Sequence, residues 1–285
     1  MTLIWSGLAL GAVYALVAVG YNIVFISSRT FNFAHAQLMM VGTFVAYTGL
    51  VTLHLPVIVV ALLAAVTVLV LAGLEERFAV RPAASHETQL VTTLGAATLL
   101  NGAAQLIWGG QPLTVPFFGS NDVTTLLGGR VYPVEIVLIV LAVVLVVVLA
   151  QLSRRTLLGL ALLGMSEDRE AAMLRGINVK RLVLGAFALS GALAGVLGLF
   201  VGPKTYAVAT LGSALALKGF VALAIGGFGS LAGALLGGLS VGVIESATAR
   251  YLGSEFSNLM VFAVLLIILL ARPAGLFGRV RERAV

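Results

Sequence analysis

The chain has 285 residues, 60% of them hydrophobic and 10% charged, with a mean hydropathy of +1.13. A soluble domain needs about 25% charged residues to cover its surface, so the composition excludes one and predicts an integral membrane protein. The net charge of +6 is then the basic bias of cytoplasmic loops rather than a nucleic-acid footprint, and the absence of cysteine removes disulfides, thiolate metal sites and thiol nucleophiles together.

About 20 apolar residues cross the roughly 30 Å hydrocarbon layer as a helix, and the first predicted span is 3–25. No basic n-region precedes it and more spans follow, so it is expected to stay in the protein rather than leave as a signal peptide. Spans 34–53, 57–74 and 89–108 come next. Asn32, His35 and Gln37 stand at the entry to the second, able to line a cavity or to cap freed backbone groups. A lone histidine there is equally a satisfied structural residue. The connection 75–87 carries Glu75, Glu76, Arg77, Arg81 and Glu87.

Span 134–152 leads into the most polar part of the chain. Between Gln151 and Arg181 lie six basic and three acidic residues, flanked on both sides by apolar sequence. Within this island a short helix is predicted at 167–175. Ser166 is its N-cap, Glu167, Asp168 and Glu170 lie in the first turn where the helix dipole favours anions, Arg175 in the last turn, and Gly176 closes it in a left-handed conformation. A helix this short needs its flanking spans or a partner to hold it.

Span 182–201 follows. The stretch 211–245 is apolar for longer than one span requires, but Gly226-Gly227-Phe228-Gly229-Ser230 interrupts it. Island and tail (Arg272, Arg279, Arg281 and Arg283 against Glu282) are both expected on the cytoplasmic side. With one crossing at 182–201 and another at 257–271, 211–245 must begin and end outside, so two tilted or short helices are predicted to meet near Gly226–Ser230. Irregular backbone at membrane depth is tolerated where protein buries it or where it lines a wet cavity. The same count places 75–87 inside, and both 109–133 and the N-terminus outside. Lys218, inside an apolar helix, must snorkel, face water or pair, with Glu245 or a solute as partner.

Glycines four residues apart (Gly7/Gly11, Gly191/Gly195, Gly198/Gly202, Gly229/Gly233/Gly237, Gly238/Gly242) put small faces on the helices for close packing. The fold predicted is an all-α polytopic membrane protein of about eight to nine membrane helices, including the broken or re-entrant pair near 211–245, in one membrane domain, 1–285, with a surface loop at 152–181. Histidines 35, 54 and 86 lack metal-ligand spacing, and the sequence contains no nucleophile elbow and no phosphate-cradling glycine loop.

Four segments resemble a known family. Glu170-Ala171-Ala172, three residues and Gly176 are similar to the start of the docking loop of bacterial ABC importer permeases. Asn32-Phe33-Ala34-His35-Ala36-Gln37 resembles the Asn-Phe-Ala-His-Gly segment of the branched-chain amino-acid permeases of the LivH type. Lys218-Gly219-Phe220 with Gly226-Gly227-Phe228-Gly229-Ser230 and Gly233, and Arg272-Pro273-Ala274-Gly275-Leu276-Phe277-Gly278, look like two further segments of that family, in the family's order. The chain departs at Ala36, where the family has glycine, at Leu160 and Leu163, where arginines are common, and in lacking a Leu-Pro pair after the loop, with Leu184-Gly185 nearest to it.

The resemblance implies a permease subunit of a bacterial cytoplasmic-membrane importer, passing branched-chain amino acids or a related amide or urea-type compound. It implies two ATP-binding subunits that carry ATP and Mg, none bound by this chain. It also implies a second permease, LivM-like or a second copy, and an extracytoplasmic substrate-binding protein. Glu167, Asp168, Glu170, Ala171, Ala172, Gly176 and Ile177 would form the ATPase-coupling helix. Asn32, Phe33, His35, Gln37, Lys218 and Phe220 are candidates for the translocation path, and Gly226, Gly227, Gly229, Ser230, Gly233 and Gly237 for the helix break and its packing. The competing reading is an ion-coupled secondary transporter or a channel. It calls for intramembrane carboxylates, whereas Glu135 and Glu245 are both expected near span ends.

Overall fold

A computed structural model describes residues 1–120, 122–126 and 128–278; the tail residues Arg279, Arg281, Glu282 and Arg283 lie outside them. Helices dominate: α1 (Thr2–Ser28), α2 (His35–Tyr47), α3 (Val57–Glu75), α4 (His86–Trp108), α5 (Pro133–Arg155), α6 (Leu157–Glu167), α7 (Arg169–Leu174), α8 (Val179–Thr205), α9 (Leu211–Gly226), α10 (Leu231–Tyr251) and α11 (Ser257–Ala271). A small antiparallel hairpin, β1 (Thr124–Leu126) with β2 (Gly129–Val131), precedes α5.

Among the described residues, seven helical stretches are long and apolar enough to cross a membrane: α1, α3 with its continuation to Val80, α4, α5, α8, α10, and α11 together with the 3-10 turn Ser254–Phe256 that leads into it. Helix α2 continues into a π-helical turn, Thr48–Thr52, and the 16 residues of α9 extend about 24 Å at 1.5 Å per residue. With these two the total approaches the eight to nine expected. Leu62, Val66, Leu106, Val144, Leu266 and Ile267 are exposed, as lipid-facing side chains are in a polytopic membrane protein; water alone would not tolerate so many.

The connection 75–87 differs from its expected form. Helix α3 does not end at the charges but runs on through a π-helical turn, Glu76–Val80, carrying Glu75 (7% exposed) and Glu76 (3% exposed) into the protein. Arg81 meets Glu76 at 3.1 Å, which offsets part of the cost of burying that carboxylate.

The chain divides into two compact units, one of residues Met1–Asn22, Asp122–Val147 and Lys218–Val285, the other of Ile23–Asn121 and Val148–Leu217. In the first, α1 crosses α10 where a methyl group on Gly11 would stand 2.7 Å from the Gly238 carbonyl oxygen. In the second, α8 lies against α3 and α2, and a methyl group on Gly42 would stand 2.8 Å from the Gly195 carbonyl oxygen. Lipid offers no hydrophobic force between helices, so backbones at this separation gain their stability from dispersion.

The break between α9 and α10 forms where the glycines predicted it. Gly227 and Gly229 have φ of 100° and 83°, values that side chains disfavour, and Ser230 caps α10 by accepting from Gly233 N at 3.0 Å. Helix ends leave orphan backbone groups that cost several kcal/mol each in hydrocarbon. Here several of them are satisfied. The Ile225 and Gly226 carbonyls accept from Leu276 N (2.9 Å) and Phe277 N (3.0 Å), and Gly229 N donates to the buried Asn22 Oδ1 at 2.8 Å. The Arg272–Gly278 segment thus seals the end of α9, and the two distant glycine-rich motifs are halves of one joint. The turn lies level with the C-terminal end of α11.

Candidate functional site

The segment at 32–37 divides into structural and cavity-lining residues. Asn32, 1% exposed, accepts from Ala34 N at 2.8 Å and so organises the start of α2. His35, also 1% exposed, sits 3.1 Å from Ser190 Oγ through Nδ1, tying α2 to α8. Phe33 packs edge-on against Phe31 at 4.7 Å, while its backbone N–H reaches Thr93 Oγ1 at 3.4 Å. Gln37 is different. It reaches a cavity of about 350 Å³ that it shares with Leu94, Ala97, Thr98, Asn101, Gly102 and Gln105 of α4 and with Ser213.

This cavity is polar without being charged. Asn101 Nδ2 points to Ser213 Oγ at 3.5 Å and Gln105 Nε2 donates to Asn101 Oδ1 at 3.4 Å. The buried Gln37 Oε1 has no hydrogen-bond partner among the described residues. A buried amide oxygen left without a donor costs about 1–3 kcal/mol, which a donor would recover once a small rotation of the side chain turned the oxygen into the cavity. The volume falls at the lower end of the roughly 300–1,000 Å³ range of small-molecule sites.

Sequence reasoning found Gln37 but missed Thr98, Asn101, Gln105 and Ser213. A signal was present: 98, 101 and 105 are spaced by three and four, so they share one face of the largely apolar second half of α4.

Lys218 and Phe220 do not reach this cavity. The Lys218 ammonium pairs with Glu245 Oε1, Tyr14 Oη donates to Glu245 Oε2 at 2.7 Å, and the ammonium stands 5.5 Å from the Tyr14 ring centre. Of the options for Lys218, pairing with Glu245 is the one realised. Glu245 lies within α10 rather than at its end, correcting its expected place. Phe220 packs against Phe228 at 6.2 Å, while Gly226, Gly233 and Gly237 make the close α9–α10 contact.

In the charged island the helix begins later than the sequence suggests. Residues 157–167 are already helical, so Ser166 and Glu167 belong to the last turn of α6, with Ser166 Oγ bonded to Leu163 O. Asp168 is extended instead (φ −144°, ψ 108°) and caps α7 by accepting from Glu170 N and Ala171 N, both at 3.0 Å. Ser166 lost the cap because an apolar run, Leu157 to Met165, propagates helix through it. Gly176, φ 83°, closes α7 as expected, with Ile177 N to Ala172 O at 3.1 Å and Gly176 N to Met173 O at 2.9 Å, a Schellman termination.

The inner face of α7 is held down by Ala172, 5% exposed, in a cluster with Val80, Met165, Val179, Val183 and Phe187, with Ile177 packed against it. Glu170 is exposed, and so are Met173 (52%) and Leu174 (89%). This is a fixed, short helix outside the spans that presents bare apolar side chains among charges.

Residues 3–269 match the family model described as branched-chain amino acid transport system / permease component. The chain is 28% identical to the high-affinity branched-chain amino acid transport system permease protein LivH of Salmonella typhimurium, over 96% of this chain and 94% of that one. It is 30% identical to the corresponding protein BraD of Pseudomonas aeruginosa, over the same shares, and 25% identical to the ribose import permease protein RbsC of Haemophilus influenzae, over 90% and 80%. No solved structure matches.

Proposed function

Because the chain belongs to the family of branched-chain amino-acid transport permease components, we propose that it is one membrane half of an ATP-driven importer. In this reading a branched-chain amino acid, or a related small amide or urea-type solute, passes along the Gln37–Asn101 cavity. The observation that carries the reading is the surface of α7. Leu174 and Met173 are exposed on a helix whose opposite face is anchored, and bare apolar side chains in that setting mark a protein contact. Two ATP-binding subunits, with ATP and Mg bound to them, would grip this helix and move it as they close. Catalysis belongs to them, and the bundle supplies the bistable element that they bias.

A second permease fits the open face of α4. Gln105 and Thr98 are exposed there on a largely apolar span, and amides and hydroxyls facing lipid are costly. Another membrane chain, different from this one or a second copy, would cover them and complete the path. An extracytoplasmic binding protein would deliver the solute, with α7 and the C-terminal end of α11 on the cytoplasmic side. Nothing in the relatives supports an ion-coupled carrier.

Leu174→Glu tests the docking role. The side chain is 89% exposed, so folding should change by no more than about 0.5 kcal/mol. Co-purification with the ATP-binding subunits, and solute-stimulated ATP hydrolysis by the reconstituted complex, should fall by tenfold or more (about 1.4 kcal/mol of contact). Unchanged stimulated hydrolysis would refute the role.

A further inference from the structure

A second cavity, of about 340 Å³, lies at the N-terminal end of α4. Ser28 from the last turn of α1, Arg81 beyond the π-helical end of α3, His86 and Gln89 from the first turn of α4, Arg169 at the head of α7 and Lys180 at the start of α8 all line it. Glu76 lines it too, but Arg81 neutralises that carboxylate at 3.1 Å. Neither Arg169 nor Lys180 has an ion-pair partner among the described residues. The cavity therefore holds a surplus of two positive charges.

Its other groups suit an anion as well. Helix α4, 23 residues long and capped by Ser85, opens its first turn onto the cavity, and the N-terminal dipole favours negative charge. Thr30 already donates to Gln89 Oε1, which leaves the Gln89 amide nitrogen as the group it can offer. Thr30 Oγ1 also holds His86 Nδ1 at 3.0 Å, fixing the imidazole at the wall. Guanidinium and ammonium groups around a helix N-terminus form a phosphate-binding arrangement, and basic cavities at the ends of membrane helices are suited to anionic headgroups.

We propose that this cavity binds a phosphate group, carried either by an anionic phospholipid headgroup or by a free phosphate. Such a group would bridge Arg169 of α7 to Arg81 and Lys180 and so fix the base of α7. Any consequence for ATP-driven coupling rests on the α7 reading above. The binding itself does not.

The test uses the purified full chain. In one arm, phosphatidylglycerol and phosphatidylcholine are titrated in turn and retention is read by native mass spectrometry. In the other, thermal unfolding is followed with inorganic phosphate against sodium chloride at equal ionic strength. Wild type should retain one phosphatidylglycerol in preference to phosphatidylcholine, and Arg169→Gln/Lys180→Gln should weaken that preference by about thirtyfold. Arg175→Gln, on the same segment but outside the cavity, should keep it. Stabilisation by inorganic phosphate beyond that of chloride, lost in the double variant, would assign a free phosphate instead of a lipid. If the double variant does not fold, Lys180→Gln alone should weaken the responding arm by about fivefold. No preference in either arm, or a preference equally strong without the two charges, would overturn the proposal.

Discussion

Two polar clusters sit among apolar helices in this protein, and they are built in opposite ways. In one, Tyr14, Lys218 and Glu245 take up each other's charges and hydrogen bonds. In the other, Gln37, Asn101, Gln105 and Ser213 make long contacts of 3.4–3.5 Å at best and leave the Gln37 carbonyl bare. A polar group at membrane depth needs a partner, supplied either by protein or by something that comes and goes. The first cluster holds α1, α9 and α10 together. The second is where, on the proposed reading, a solute would pass.

The contrast can be broken most sharply at Glu245. Glu245→Ala leaves the Lys218 ammonium, 21% exposed, without its partner, and stability should fall by about 3–5 kcal/mol. Thermal unfolding of the detergent-purified chain measures this. Lys218→Met/Glu245→Leu, which removes both charges, should recover most of the loss; if it does not, the pair is no structural tie. The Asp168 carboxylate is satisfied too, but at the surface and only by backbone N–H groups. Asp168→Ala should cost about 1 kcal/mol and show chiefly as faster amide exchange confined to α7; uniform protection would place the cap elsewhere. Gln37→Leu should do least to stability, between no change and a gain of about 1 kcal/mol, because it removes a buried acceptor that has no donor. A loss of several kcal/mol by the same unfolding measurement would show that the amide has a structural partner.

Much of this was legible in the sequence because composition and glycine speak directly about membranes. Charge-free runs located the spans to within a few residues, and the end of α11 at 271 and the break at Gly226–Ser230 emerged where expected. The role of Arg272–Gly278 was not legible, since nothing local shows that Leu276 N and Phe277 N seal carbonyls some fifty residues earlier. The start of α7 slipped by two residues because Ser166 and Asp168 are both good caps. The choice between them depends on how far α6 propagates. Glu75 and Glu76 looked like loop charges, and only the continuation of α3 as a π-helical turn buries them. Thr98, Asn101 and Gln105 were passed over because α4 was read for its apolar character rather than for which face its polar residues share.

The central claim is that solute moves past the loosely bonded amides and not past the paired charges, and solute uptake by the complete ATP-driven complex tests it most directly. Asn101→Leu should lower uptake by at least tenfold, or about 1.4 kcal/mol, with the complex still assembled, while Lys218→Met/Glu245→Leu should retain uptake to within about twofold, roughly 0.4 kcal/mol. The reverse pattern, with transport surviving the loss of Asn101 and vanishing with the ion pair, would contradict it.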